Sequence, residues 1–228
     1  MRPMIVTIDG SAGSGKSTAA RRLAERLHVA HLDTGAMYRA VALRVFEQNV
    51  PTTQPDAMLA AAKAMNLELL CTASGTRAII DGRDVTDKLR SLEVTRAASA
   101  VARVQSIREL LIEQQRVVGE SLGSFVTEGR DQGSVVFPDA DVKFIIDAEV
   151  EVRARRRMAE LHAERHAASF EQVLADVSRR DSMDAIQWQP LLDSGSATRI
   201  DTTDMTLEEV VDRLESLVRE SVGQGSRH

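Results

Sequence analysis

The sequence predicts an α/β fold: a parallel five-stranded sheet of the P-loop kind, flanked by helices, with an inserted domain and a short lid. Three observations lead there. Residues 4–8 form a continuous apolar run that ends in Asp9-Gly10, as a strand buried on both faces does. A glycine-rich turn then opens into residues 16–27, where Ala19, Ala20, Leu23, Ala24 and Leu27 recur at helical spacing. Further short apolar runs at 29–32, 125–127, 142–146 and 198–200 are separated by helical stretches, which implies parallel strands with right-handed crossovers.

The stretch 66–95 breaks this rhythm. Residues 67–71 and 77–80 are strand-like and are joined by Thr72-Ala73-Ser74-Gly75-Thr76, so they read as part of an insertion beside the sheet. Helices at 92–103 and 106–121 return the chain to the core. Thr206-Leu207-Glu208-Glu209 is a capping box that starts the last helix. The expected division is core at 1–37, inserted domain at 38–96, core at 97–150, lid at 151–169 and core at 170–228.

Composition removes several classes of function. At 228 residues and 43% hydrophobic content the chain can bury a sizeable core. Aromatic residues are only 3%, too few for a base-stacking binder of single strands. A net charge of −5, with a pI near 5.6, argues against nucleic-acid backbones as partners. Local arginine clusters in an acidic chain point instead to one small anionic ligand. Cys71 is the sole cysteine, so no internal disulfide forms, which fits a reducing compartment. The first apolar run is too short for a signal sequence, and no run of ~18 apolar residues occurs. Residues 223–228 read as a frayed end. The expectation is a cytoplasmic monomer with neither membrane nor nucleic acid as partner.

Gly10-Ser11-Ala12-Gly13-Ser14-Gly15-Lys16-Ser17 matches GxxxxGK[ST] in full, between a buried strand and a helix. Glycines let backbone N–H groups converge on phosphate oxygens, and the helix N-terminus adds positive potential. Lys16 supplies a mobile charge for the terminal phosphates and Ser17 a hydroxyl ligand for Mg²⁺. With Thr18, these residues are the expected ATP site. The chain holds neither the Asn-Lys-x-Asp of a guanine-reading switch nor the Leu-Ser-Gly-Gly-Gln of a transporter ATPase, which leaves a small phosphotransferase. No apolar strand ending in a Walker B aspartate stands out. Asp33 and Glu128 each end a strand, and either could hold a metal-bound water.

Three more segments bear on the acceptor: Leu32-Asp33-Thr34-Gly35-Ala36-Met37-Tyr38-Arg39, then Glu128-Gly129-Arg130-Asp131-Gln132-Gly133 followed by Val136-Phe137-Pro138, then Arg179-Arg180-Asp181-Ser182-Met183-Asp184. Together with the phosphate loop, in this order over nearly the whole chain, they resemble the bacterial cytidylate kinase family of P-loop nucleoside monophosphate kinases. The resemblance implies phosphorylation of CMP, and of dCMP, by ATP with Mg²⁺. It makes 38–96 a nucleoside-monophosphate-binding domain, with acceptor contacts from Thr34, Arg39, Ser99, Arg108, Arg130, Asp131, Arg180 and Asp184. In that scheme Arg39 and Arg130 hold the acceptor phosphate, Asp131 faces the cytosine amine, and Ser99 and Arg108 donate to N3 and O2. Arg180 and Asp184 hold the ribose and the neighbouring phosphate. Where the family pattern carries an arginine three residues after 184, this chain has Gln187.

The residues support this independently. A monophosphate carries a charge of about −2 near neutrality and suits arginine forks. Arg39 and Arg130 each follow a strand, which puts them at the carboxyl edge of the sheet where such sites form. Other readings stay open. Ser99 sits in an alanine-rich packing face, Arg108 is near Glu109 and Glu113, and Arg180 and Asp184 are spaced as a plain i,i+4 ion pair. Arg153, Arg155, Arg156 and Arg157 crowd one helix start. They read as a lid over ATP, with Arg156 and Arg157 nearest the transferred group, or as a solvated face paired with Glu149, Glu151 and Glu160. Lys16, Arg130, Arg156 and Arg157 are the expected catalytic cations. The rival functions are a P-loop kinase for UMP, dTMP or another small acceptor, and a nucleotide-switched binding module.

Overall fold

The computed structural model describes residues 3–163 and 169–225, and within these the side chains of 92, 96, 163, 180, 182–187 and 223–225 lie outside the description. β1 (Ile5–Gly10), β2 (Ala30–Asp33), β6 (Phe125–Gly129), β7 (Val142–Asp147) and β8 (Thr198–Asp201) form one parallel sheet in the order β2-β6-β1-β7-β8. Its central strand is the first in sequence. β1 pairs with β6 on one side and β7 on the other, and Val6, Thr7, Ile8 and Asp9 are all fully buried. A strand covered on both faces needs no alternation of apolar and polar residues, which is why its apolar run is continuous.

Helices cover both faces. α1 (Lys16–Leu27) lays Ala19, Ala20, Leu23 and Ala24 against β1 and β7, where α8 (Leu207–Gly225) adds Val210, Val211, Leu214 and Val218. α8 begins with the expected reciprocal cap. Thr206 Oγ1 accepts from the Glu209 amide at 3.3 Å, and Glu209 Oε2 accepts from the Thr206 amide at 2.8 Å.

The insertion has its own core. α2 (Thr34–Glu47) and α3 (Pro55–Lys63) lead into the antiparallel strands β3 (Leu67–Thr72), β4 (Gly75–Ile80) and β5 (Arg83–Asp84). A 3-10 turn at Thr86–Arg90 follows, then α4 (Leu92–Val101) and α5 (Gln105–Leu122). Met37, Val41, Met58, Ile80, Leu89 and Val94 pack into one buried cluster that also takes Val101, Ile107 and Leu111. The packing therefore runs past the boundary expected at 96, and α4 straddles it. The hairpin is tied to the sheet edge through Thr76, whose Oγ1 accepts from the Asp33 amide at 2.9 Å and donates to the His31 carbonyl at 2.6 Å.

α6 (Val150–Ala163) and α7 (Phe170–Asp193) complete the chain after β7. Part of the segment expected as a lid, 164–168, lies outside the described residues. Among the described residues, no helix is long and apolar enough to cross a membrane.

Candidate active site

The phosphate loop leaves the end of β1 and closes on α1. Gly10 has φ +150°, and a Cβ there would stand 1.9 Å from the Ile146 carbonyl oxygen, so only glycine lets the loop turn beside β7. Ser11 Oγ donates to Asp147 at 2.9 Å, which fixes the loop to the neighbouring strand end. Lys16 Nζ donates to the Ser11 carbonyl at 3.2 Å across the mouth of the loop. Ser14 Oγ is buried with no hydrogen-bond partner, while Ser17 and Thr18 are exposed on the first turn of α1. Gly10, Ser11, Ala12, Gly13, Ser14, Gly15, Lys16 and Ser17 thus make one anion cradle, with Thr18 just behind it.

Two carboxyl groups stand beside the cradle. Ser17 Oγ donates to Glu128 Oε1 at 2.8 Å. Burial, and then the negative charge of Asp33, push the Glu128 carboxyl up to about 7. Burial would raise Asp33 too, but Arg39, His31 and the Ala36 amide pull it below the ordinary carboxylate value. The pair shares its charge unequally: Asp33 is pulled towards the charged form and Glu128 is pushed towards the protonated one. Asp33 caps α2, accepting from the Ala36 amide at 3.0 Å and from Arg39 at 2.7 Å. The two carboxyls differ in position. Glu128 touches Ser17, while Asp33 stands one step back and is already engaged.

Several of the residues expected to bind the acceptor follow the ends of β2 and β6. Asp131, which is buried, accepts from Arg108 Nη2 of α5. Tyr38 lies among them. Burial and Asp131 push its hydroxyl up to about 12, against the opposing charges of Arg108 and Arg130 and a hydrogen bond with Gln115. Arg130 is half-buried directly after β6, close enough to Tyr38 for its charge to be felt there. Ser99 is half-buried on α4. Thr34 is placed differently from a substrate ligand: its hydroxyl is buried and donates to the Glu128 carbonyl at 2.7 Å, joining α2 to β6. Arg180 and Asp184 lie on α7, and their side chains, like that of Gln187, are outside the described residues.

The arginines of α6 divide into distinct roles, contrary to their expected grouping as one mobile face. Arg153 is 4% exposed and makes a bidentate pair with Asp181 at 2.7 and 2.6 Å. It also donates to the Ala148 carbonyl at 2.7 Å and the Ala12 carbonyl at 3.2 Å, so it anchors the helix start to the cradle. Arg156 reaches the cradle rim, donating to Thr202 at 3.0 and 2.6 Å and to the Ser14 carbonyl at 3.4 Å. Arg157 turns towards its own helix. It pairs with Glu160 at 2.9 Å on the surface, because its own helix offers it a carboxylate three residues away.

Several residues of this region escape a reading of motifs. Asp9, Gln115 and Thr202 are all buried polar groups with defined partners here. Only Asp9 left a trace in the sequence, as a carboxylate inside an apolar strand.

A full phosphate loop between the central strand of a parallel sheet and its first helix defines a P-loop phosphotransferase. The cytidylate kinase family profile matches residues 6–220. The cytidylate kinase of Nocardia farcinica is 41% identical over 225 residues, 98% of this chain and 97% of that protein. That of Caldanaerobacter subterraneus is 39% identical over 217 residues, 95% of each. An uncharacterized protein from Eubacterium ventriosum, known from its crystal structure, shares the fold at a TM-score of 0.51 and 16% identity, over 96% of this chain and 99% of that one. The chain belongs to the cytidylate kinase family.

Proposed function

We propose that the protein transfers the γ-phosphoryl group of ATP to CMP, and to dCMP, giving ADP and the nucleoside diphosphate. The observation that carries this reading is the buried Asp131 carboxylate set against the Arg108 guanidinium beside the phosphate cradle. Cytosine offers an amine donor with two acceptors along its pairing edge. A carboxylate and a fixed set of donors match that pattern, whereas uracil would set a carbonyl against Asp131. Ser99 and Arg108 are the donors for N3 and O2 in this scheme.

In the transfer, an oxygen of the acceptor phosphate attacks the γ-phosphorus in line. The bond from that phosphorus to the β–γ bridging oxygen breaks, and ADP leaves with that oxygen. A phosphate dianion needs no general base, so the protein contributes position, charge and exclusion of water. The loop amides and Lys16 hold the β and γ phosphates. Arg39 and Arg130 hold the acceptor phosphate, and Arg156 covers the cradle rim. Arg157 would have to leave Glu160 to take part. Arg180 and Asp184 are assigned to the ribose side.

Ser17 and Glu128 offer only oxygen donors, and their number leaves room for waters and phosphate oxygens, which suits Mg²⁺. The ion, when bound, neutralises charge on the β and γ phosphates. Closure of the 38–96 region and of the lid at 151–169 would bring the two halves together and suppress ATP hydrolysis. We place the protein in the cytoplasm as a monomer, on its acidic charge and single cysteine.

The test is a coupled ADP assay with CMP, dCMP, UMP, dTMP and a small alcohol as acceptors. CMP should lead. Arg108→Met should raise the KM for CMP at least about tenfold and leave that for ATP nearly unchanged. Equal loss on both substrates would remove Arg108 from base reading, and preference for another acceptor would replace CMP in the reaction.

A further inference from the structure

We infer that Asp9 is a positioning residue for the acceptor: its carboxylate grips the turn that carries Arg130 and Asp131. The inference deepens the CMP-kinase reading and rests on it.

Asp9 is the last strand residue before the phosphate loop and is fully buried. Its side chain does not serve that loop. Oδ1 accepts from the Gln132 amide at 2.9 Å and Oδ2 from the Gly133 amide at 2.8 Å. Two consecutive N–H groups aimed at one carboxylate make an anion nest, here filled from within. The nest begins at the residue after Asp131 and two after Arg130. These are the residues that face the base and the acceptor phosphate in the proposed reaction.

The turn is gripped from its other side as well. Thr127 Oγ1 donates to Gln132 Oε1 at 3.0 Å, and Gln132 Nε2 donates to Gln115 Oε1 at 3.0 Å. Gln115 in turn bonds to Tyr38, whose hydroxyl feels Asp131, Arg108 and Arg130. A Cβ on Gly133 would stand 2.8 Å from Thr7 Oγ1, so the turn lies flat against β1 and has no room to slide. The backbone carrying Asp131 is thus locked in place by a residue of the strand that feeds the donor cradle. A carboxylate is costly to bury, and an apolar residue would fill this strand position more cheaply. What Asp9 adds is direction for two amides that would otherwise point into the core unpaired.

The experiment compares the full-length wild type with Asp9→Asn, varying CMP at saturating ATP and ATP at saturating CMP. The amide of asparagine keeps the volume but offers one acceptor where two are needed. The KM for CMP should rise about tenfold or more, because small misplacement of a reading group is amplified in turnover. The preference for CMP over UMP should narrow, and the KM for ATP should stay within about twofold. An unchanged KM for CMP, or parallel increases for both substrates, overturns the inference. A wild type inert toward CMP would instead overturn the functional reading on which it rests. Should Asp9→Asn fail to fold, the wild type carries the test by amide NMR. The Gln132 and Gly133 signals should exchange slowly with solvent and shift together on addition of CMP. Rapid exchange at both, or no response to CMP, overturns it equally.

Discussion

At the scale of the residue, charge placement decides most of what this protein does. Lys16 Nζ donates to the Ser11 carbonyl at the mouth of the loop, so Lys16→Ala should lower turnover by at least about 100-fold while the circular dichroism spectrum stays native. Retained turnover would remove it from the mechanism. His31 makes the opposite kind of prediction. It is 4% exposed, both ring nitrogens lack a hydrogen-bond partner, and burial, helped by the positive charge of Arg21, lowers its pKa against the opposing charges of Asp33 and Glu25. The folded chain therefore refuses a proton that the unfolded chain accepts below about 6.5. Stability attributable to His31 is intact above that pH and falls as pH drops through it, by at most about 1.4 kcal/mol per pH unit. Urea unfolding at pH 7.5 and 5.5 should show a smaller acid loss in His31→Leu than in the wild type. The phosphate-loop residues were legible because their chemistry is local and contiguous. His31 and Gln115 were not, since their meaning comes from neighbours distant in the chain.

At the scale of the element, the sheet-edge attachment of the hairpin stands out. Thr76 bridges β4 to β2 with one accepted and one donated bond, and the amide it satisfies belongs to Asp33. Thr76→Val keeps the shape and removes both, leaving that amide and the His31 carbonyl unpaired. The variant should lose about 1–3 kcal/mol in urea unfolding. Its KM for CMP should rise more than its KM for ATP, because Asp33 also holds Arg39. The hairpin itself was readable from two strand-like runs around a Gly-containing turn. α2 was not. Ala36, Met37, Ala40, Val41, Ala42, Leu43 and Val45 are all buried, so the helix is apolar nearly all round and shows no amphipathic stripe. The turn at Gln132–Val136 has π-helical geometry and gives its first two amides to Asp9, a partner more than a hundred residues away that no local pattern encodes.

At the scale of the whole molecule, the parallel class of the sheet followed from strands alternating with helices, but its order did not. Placing β1 in the centre requires β6, over a hundred residues later, to insert between β1 and β2. Local sequence carries no record of such a pairing. The antiparallel insertion was visible as a break in periodicity, while the packing that carries its core into α5 was not. Arg39 lies on Asp33 and Arg108 on Asp131, so these two cations already have tenants of their own. A visiting anion must evict a carboxylate before it can settle, and only one that also offers the right base repays the eviction. Stray chloride and orthophosphate should be weak squatters. Raising ionic strength from 50 to 300 mM should therefore change the KM for CMP by less than about threefold, since a guanidinium sheltered by its own partner is poorly screened. A steep salt dependence would mean that the pocket stands electrically open.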